Sequence, residues 1–280
     1  MNIFRNQPDW HIGQGKTLHL NRTFLMGILN VTPDSFSDGG QYADAERAVS
    51  RAYEMARQGA DIIDVGGQST RPGHIPVPPE EEWRRIEPVL NSLCADNALI
   101  ISVDTYHPEV AVKSMELGAH ILNDVTGFRD PLMRQYAARY KVGCVIMHDV
   151  PLSENDDVCA KLTEFFRRRT AECIADGIPQ ENLCLDPGVG FGKSYEQNLS
   201  IAKRFSEICM GNYPVLAAAS RKRVIGRSGG DLPVDQRLPG TIAYHTACIL
   251  CGANIIRVHD IPEAAQAAKV ADAILNPYNE

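Results

Sequence analysis

The sequence predicts an α/β fold: a (β/α)8 TIM barrel in a single domain, preceded by an N-terminal β-hairpin. Three observations predict it. Short apolar runs of strand length alternate with helix-length amphipathic segments about eight times, the number that closes such a barrel. Each run delivers a polar or ionisable residue at its carboxyl end, and in a barrel those ends converge on one rim. No Gly/Ser linker or low-complexity stretch cuts the 280 residues, so one domain is the economical division, with 1–23 as hairpin and 24–275 as barrel. A doubly wound open sheet is the alternative, but it usually carries fewer strands and a glycine-rich first turn.

The elements follow in order. Asp9–Thr23, containing "HIGQGKTLHL", reads as the hairpin. "FLMGIL" is the first barrel strand, followed by the polar loop "NVTPDSFSDGG" and a helix over Ala43–Gln58. "DIIDV" leads to Glu80–Leu93, "LIISV" to Pro108–Leu117, and "HILN" to the shorter helix "DPLMRQYAARY". "GCVIM" precedes Asp157–Asp176, and "LCL" precedes Gln197–Ile208. "PVLAAA" precedes Leu238–Cys251, and "NIIRV" precedes a last helix over Pro262–Leu275. Strands alternating with helices imply parallel pairing through βαβ units.

Composition narrows the function. With 44% hydrophobic and 22% charged residues the chain reads as globular, and its formal charge is 28 − 35 = −7. No Lys/Arg block is dense enough to track phosphates, so nucleic-acid binding is disfavoured, whereas a small basic pocket for one anion is compatible. No apolar run reaches membrane-spanning length, and "MNIFRNQPDWHIGQ" lacks a signal-peptide core, so a cytoplasmic protein is expected. Eight scattered cysteines suit reduced thiols. Cys248 and Cys251 have CxxC spacing without a second pair. With His245 they run i, i+3, i+6, which cannot face one metal from a straight helix, so a buried helix face is the better reading.

The strand ends carry the chemistry: Asn30, Asp64, Asp104, Asn123, His148, Asp186, then Ser220 with Arg221 and Lys222, and finally Arg257 and His259. A single strand-end Asp is as often a helix cap as a site residue; eight positions together are not explained that way. Asp104, Asn123 and Asp186 offer acceptors for a flat heterocycle rich in N–H groups. Asn30, Ser69, Thr70, Arg71, Arg257 and His259 suit phosphate or diphosphate, with Mg²⁺ as the expected metal. Lys222 sits between the two groups. "GVGFGKS" imitates a P-loop but is one residue short, and reads instead as a strand end turning sharply.

"MGILNVTPDSFSDGG", "DIIDVGGQSTRPG", "ISVDT", "ILNDVTG", "LDPGVGFGK", "SRKRVIG" and "IIRVHD" resemble, in order and spacing, the motifs of the dihydropteroate synthase family, from Met26 to Asp260. The resemblance implies condensation of 6-hydroxymethyl-7,8-dihydropterin pyrophosphate with 4-aminobenzoate. It implies that Asp104, Asn123, Met147, Asp186 and Lys222 hold the pterin. Asn30, Thr70, Arg71, Arg257 and His259 would hold the diphosphate, with Asn30 and Asp38 on Mg²⁺. Phe36, Ser69, Thr70, Pro72, Phe191, Lys222 and Arg223 would surround the aminobenzoate, and the loop after Asn30 would close as a lid. A homodimer through the late helices is also implied. Gln68, Ala218 and Arg223 depart from the usual Glu, Gly and Ser, and the "DVPLSENDDV" segment after "VIMH" looks short. Two other readings compete. One is a pterin-binding barrel that passes a methyl group to a corrinoid protein; the other is a non-catalytic pterin-binding scaffold.

Overall fold

Eight parallel strands run in the order expected of consecutive βαβ units, and a two-stranded antiparallel hairpin precedes them. The structure is a computed structural model that describes residues 8–32, 40–68, 75–211 and 213–277. The hairpin is β1 (Asp9–His11) and β2 (Thr17–His19). The barrel follows as β3 (Phe24–Asn30), α1 (Gly40–Gln58), β4 (Ile62–Gly66), α2 (Pro79–Leu93), β5 (Ile101–Asp104), α3 (Pro108–Glu116), β6 (Ile121–Asp124) and α4 (Pro131–Tyr140). Its second half is β7 (Gly143–Met147), α5 (Val158–Ala175), β8 (Leu183–Asp186), α6 (Tyr195–Lys203), β9 (Leu216–Ala217), α7 (Arg223–Ser228), α8 (Leu238–Leu250), β10 (Ile255–Val258) and α9 (Ile261–Leu275). β10 pairs with both β3 and β9, and the ring closes between β8 and β9 through one parallel bridge, Leu185 to Val215. The seventh strand is the weak member: "PVLAAA" keeps only two residues of ladder. The helix expected to reach Ile208 ends at Lys203 and gives way to a 3-10 turn over Phe205–Glu207.

Helix starts are written locally. Asp130 accepts the Leu132 N–H, Asp157 accepts those of Cys159 and Ala160, and Ser194 with Gln197 forms a reciprocal capping box. Proline opens α2, α3, α4, α8 and α9, where its missing N–H costs nothing.

The core has two parts, divided by strand parity. Leu25, Ile63, Val65, Ile101, Val103, Leu122, Ile146, Leu185 and Ile256 point outward and pack under the helices. Met26, Ile62, Ile121, Val145, Cys184, Leu216 and Ile255 point inward and join Trp10, Ile12, Leu18 and Leu20 of the hairpin. Side chains alternate with period two, so counting on from the inward set assigns the interior to Asn30, Asp64, Asp104, Asn123, Met147, Asp186 and Arg257. The hairpin plugs the opposite mouth: Gly13 N–H bonds to His120 O, ahead of β6, and the Trp10 indole N–H to Asn182 O, ahead of β8.

Among the described residues no helix is long and apolar enough to cross a membrane. All eight cysteines are free thiols. Cys248 is buried on α8 and burial holds its thiol well above the usual range. No group of three His, Cys, Asp or Glu among the described residues could hold a metal.

Candidate active site at the carboxyl rim

Sheet register sets the layout. Asn30 pairs with Gly66, Gly66 with Asp104 and Asp104 with Asn123, so four successive strands present these residues side by side. Met147 pairs with Asp186 farther round the ring. Asp64 is the middle residue of β4, not its end, and lies one layer deeper.

An ionic cluster occupies the centre. Arg257 donates from Nε to Asp64 Oδ2 at 2.6 Å and from a terminal nitrogen to Asp104 Oδ2 at 2.7 Å. Asn123 Nδ2 donates to the same Asp64 oxygen at 3.0 Å. Asp64 is fully buried and Asp104 nearly so, and the Oδ1 atom of each finds no hydrogen-bond partner among the described residues. Two carboxylates share one guanidinium. Burial therefore pushes Asp104 up to about 7, with Arg257 opposing and Asp64 adding to the shift. Arg257 itself is desolvated, but Asp64 and Asp104 hold its pKa above the ordinary value.

Asp186 and Lys222 form a second group. Burial raises the Asp186 pKa, opposed chiefly by Lys222, and Asp186 Oδ1 accepts the Gly188 N–H at 2.7 Å. Burial lowers Lys222 to about 8, opposed chiefly by Asp186. The ammonium donates to Val189 O at 2.7 Å and stands 4.7 Å from the centre of the Phe191 ring. His259 Nδ1 lies 2.9 Å from Ser220 Oγ. Ser220 Oγ also accepts the His259 backbone N–H, so the hydroxyl proton is available to the imidazole.

The neighbouring strand-end residues take other partners. Arg221, with a left-handed backbone at φ 55°, turns its guanidinium to Asp260. Arg223 is exposed at the first position of α7, and the structure gives it no partner among the described residues. His148 is buried and packs edge-on against Phe165 at 4.8 Å. Burial, then Lys193, depress its pKa to about 3, so the ring is neutral. Gln68 donates to the buried Glu82 at 3.2 Å and accepts from the Tyr106 hydroxyl, while Ala218 faces the barrel interior. Phe36, Asp38, Ser69, Thr70, Arg71 and Pro72 lie outside the described residues.

Two residues escape the sequence reading. Asp64 stands there among the strand ends without a role, because only the fold shows that it touches both Asn123 and Arg257. Lys193 belongs to the imitation P-loop, yet its ammonium is buried and donates to the carbonyls of His148, Gly188 and Phe191, with His148 Nδ1 at 3.0 Å. Burial lowers it to about 7. It therefore straps the β7 end to the turn after β8. Gly188 is required in that turn: its φ is +64°, and a Cβ would meet His148 O at 2.1 Å. A lone lysine inside a glycine-rich turn between two rim strands is the signal that could have marked it.

The model of the pterin binding enzyme family matches residues 26–259. A dihydropteroate synthase of Clostridium beijerinckii is 44% identical over 260 residues, covering 91% of this chain and 95% of that protein. The chain belongs to the dihydropteroate synthase family. A solved Xanthomonas albilineans dihydropteroate synthase with 4-aminobenzoic acid is 41% identical at a TM-score of 0.90, covering 97% of this chain and 99% of that one. A second structure of the Xanthomonas albilineans enzyme, with 7,8-dihydropteroate, is 40% identical at a TM-score of 0.86, covering 94% and 97%. A pterin-binding family alone would also accommodate the methyl-transfer reading, but these relatives are synthases along nearly their whole length.

Proposed function

We propose that this chain condenses 6-hydroxymethyl-7,8-dihydropterin pyrophosphate with 4-aminobenzoate, releasing 7,8-dihydropteroate and pyrophosphate. The observation that carries the reading is the pair of rim carboxylates, Asp104 and Asp186, each buried and each facing a cation, with Asp104 Oδ1 unsatisfied among the described residues. A flat ring rich in N–H groups is the ligand that such an arrangement completes. Asp104, Asn123, Met147, Asp186 and Lys222 hold that ring. Arg257 and His259 receive the diphosphate, together with Asn30, Thr70 and Arg71. Phe191 and Lys222 flank the aminobenzoate, with Phe36, Ser69, Thr70, Pro72 and Arg223 around it.

The chemistry runs through charge. The CH₂–O bond breaks with its electron pair going to the diphosphate, leaving a cation delocalised into the electron-rich pterin. The aryl amine then forms the C–N bond, and the proton it sheds passes to solvent. Asp104 and Asp186 stabilise the cationic ring, while Arg257 and His259 stabilise the leaving group, each as a preorganised electrostatic contribution of a few kcal/mol. Asn30, half-buried at the rim, supplies an amide oxygen of the kind Mg²⁺ accepts, and Asp38 is the second candidate ligand. Mg²⁺, when bound, neutralises diphosphate charge. With so few protein oxygens, its affinity depends on the diphosphate.

Support for a homodimer comes from Leu199, an apolar side chain that α6 leaves exposed; size-exclusion chromatography tests it. For the reaction, the test is pyrophosphate release with dihydropterin pyrophosphate, 4-aminobenzoate and Mg²⁺. The expected result is release that depends on both organic substrates; release without aminobenzoate, or none at all, overturns the reading. Asp104→Asn is expected to lower kcat more than substrate affinity, and Asp186→Asn to weaken pterin binding.

A further inference from the structure

Asp64 is the deepest charged group of the cluster, and none of the roles assigned above uses it. Its Oδ2 accepts from Arg257 Nε at 2.6 Å and from Asn123 Nδ2 at 3.0 Å. These contacts fix the polarity of Asn123. A guanidinium in a protein is always protonated and can only donate, so Asp64 Oδ2 is an acceptor there. The amide atom facing an acceptor must be the NH₂. Asn123 Oδ1 is consequently the end of the amide turned away from Asp64, and the side chain cannot flip without setting oxygen against carboxylate oxygen. Asn123 sits on β6 directly beside Asp104 of β5, at the inward parity. The same Asp64 oxygen holds Arg257 by its Nε edge, which leaves a terminal nitrogen to bridge to Asp104.

We propose that Asp64 is a positioning residue for ring recognition: it locks the Asn123 amide in one orientation, so that Oδ1 keeps a fixed place as an acceptor for the bound heterocycle. Accepting this, the site discriminates in favour of rings that offer an N–H at that edge. Asp64 does so without touching the ligand, since it acts through Asn123. The inference rests on the pterin reading given above, because it specifies how one wall of that pocket is polarised. Asp64→Ala removes the acceptor that orients Asn123, whereas Asp64→Asn would not, because the donor-only Arg257 Nε would keep an amide oxygen at the position it shares with Asn123.

The experiment is a double-mutant cycle of Asp64→Ala with Asn123→Ala, read as the dissociation constant of 7,8-dihydropteroate by calorimetry, with thermal melting of each protein. Asp64→Ala in the otherwise unchanged protein should weaken binding about tenfold, the worth of one oriented buried hydrogen bond. In the Asn123→Ala background the same substitution should change binding less than about twofold, because the group it orients is gone. An equal loss in both backgrounds, or no loss in the first, overturns the proposal. So does a parallel fall in affinity for inorganic pyrophosphate, which would mark general damage to the site. A second measurement holds even where the variant fails to fold. In the unaltered protein the Asn123 side-chain amide hydrogens, assigned by their disappearance in Asn123→Ala, should exchange slowly with solvent; exchange at the rate of a free amide overturns the lock. Failure of the unaltered protein to bind 7,8-dihydropteroate at all would count against the pterin reading itself and is thereby told apart.

Discussion

At the amino ends of the strands Trp10 fills the barrel mouth and gives its indole N–H to Asn182 O, while Asn182 Nδ2 donates to the carbonyls of Lys141 and Val142. There the buried His120 Nδ1 accepts the Ile101 N–H, and burial, with Lys16 adding, lowers its pKa to about 4, so it is kept neutral. At the carboxyl ends Asp64 and Asp104 share one guanidinium, and each keeps an oxygen with no partner among the described residues. One mouth is closed by apolar contact and matched donors. The other sets two buried carboxylates against one guanidinium at its centre. The first arrangement lowers the free energy of the folded chain; the second raises it, and does so where ligand groups can relieve the excess.

The largest expected effect tests the rim. Asp186→Asn should lower kcat/KM by about 10²–10³ while costing less stability than any large deletion in the hairpin plug. Steady-state kinetics beside a denaturant melt checks both halves, and a loss of stability equal to the plug's would erase the contrast between the ends. Trp10→Ala should do the converse. It removes the largest side chain of the plug and should destabilise by about 3–5 kcal/mol, with kcat per folded molecule unchanged below the melting transition.

The pH dependence of stability sharpens the comparison. Asp104 is raised to about 7 in the folded state against 3.8 for the free group. Between these values the folded chain keeps a proton that the unfolded chain has lost, so this group removes stability progressively as pH rises from 3.8 through about 7. Asp104→Asn abolishes that contribution. The melting temperature of Asp104→Asn relative to the parent should accordingly climb from pH 5 to pH 7.5; a constant difference would mean that the carboxylate is not strained by burial.

The smallest effect is expected at the periphery of the rim. Arg223 is exposed, so Arg223→Ser should change stability by less than about 0.5 kcal/mol. Its KM for 4-aminobenzoate should rise about threefold, by loss of a charge-assisted contact to the carboxylate, with the sulfonamide inhibition constant nearly unchanged. Joint movement of the two constants would show that Arg223 does not distinguish a carboxylate from a sulfonamide.

By itself the sequence determined the eight strands, their parallel order, the hairpin and, among the described residues, which polar side chains stand at the strand ends. These are local properties: apolar runs of three to six residues, caps such as Asp157 and Ser194, and the polar residues that end the runs, such as Asp104, Asn123 and Asp186, are legible within short windows. Placement of the weak seventh strand was legible too, but its shrinkage to Leu216–Ala217 was not, because ladder length depends on both neighbours. Only the tertiary structure decided who pairs with whom. Arg257 reads in sequence as an anion ligand and Asp104 as a ring ligand, yet they are bonded across 153 positions, and Arg257 to Asp64 across 193. Arg221, four residues past β9, stands beside Lys222 among the strand-end residues and is committed to Asp260. Ion pairing inside a barrel is set by which side chains meet after closure, and a chain read residue by residue carries no measure of that distance.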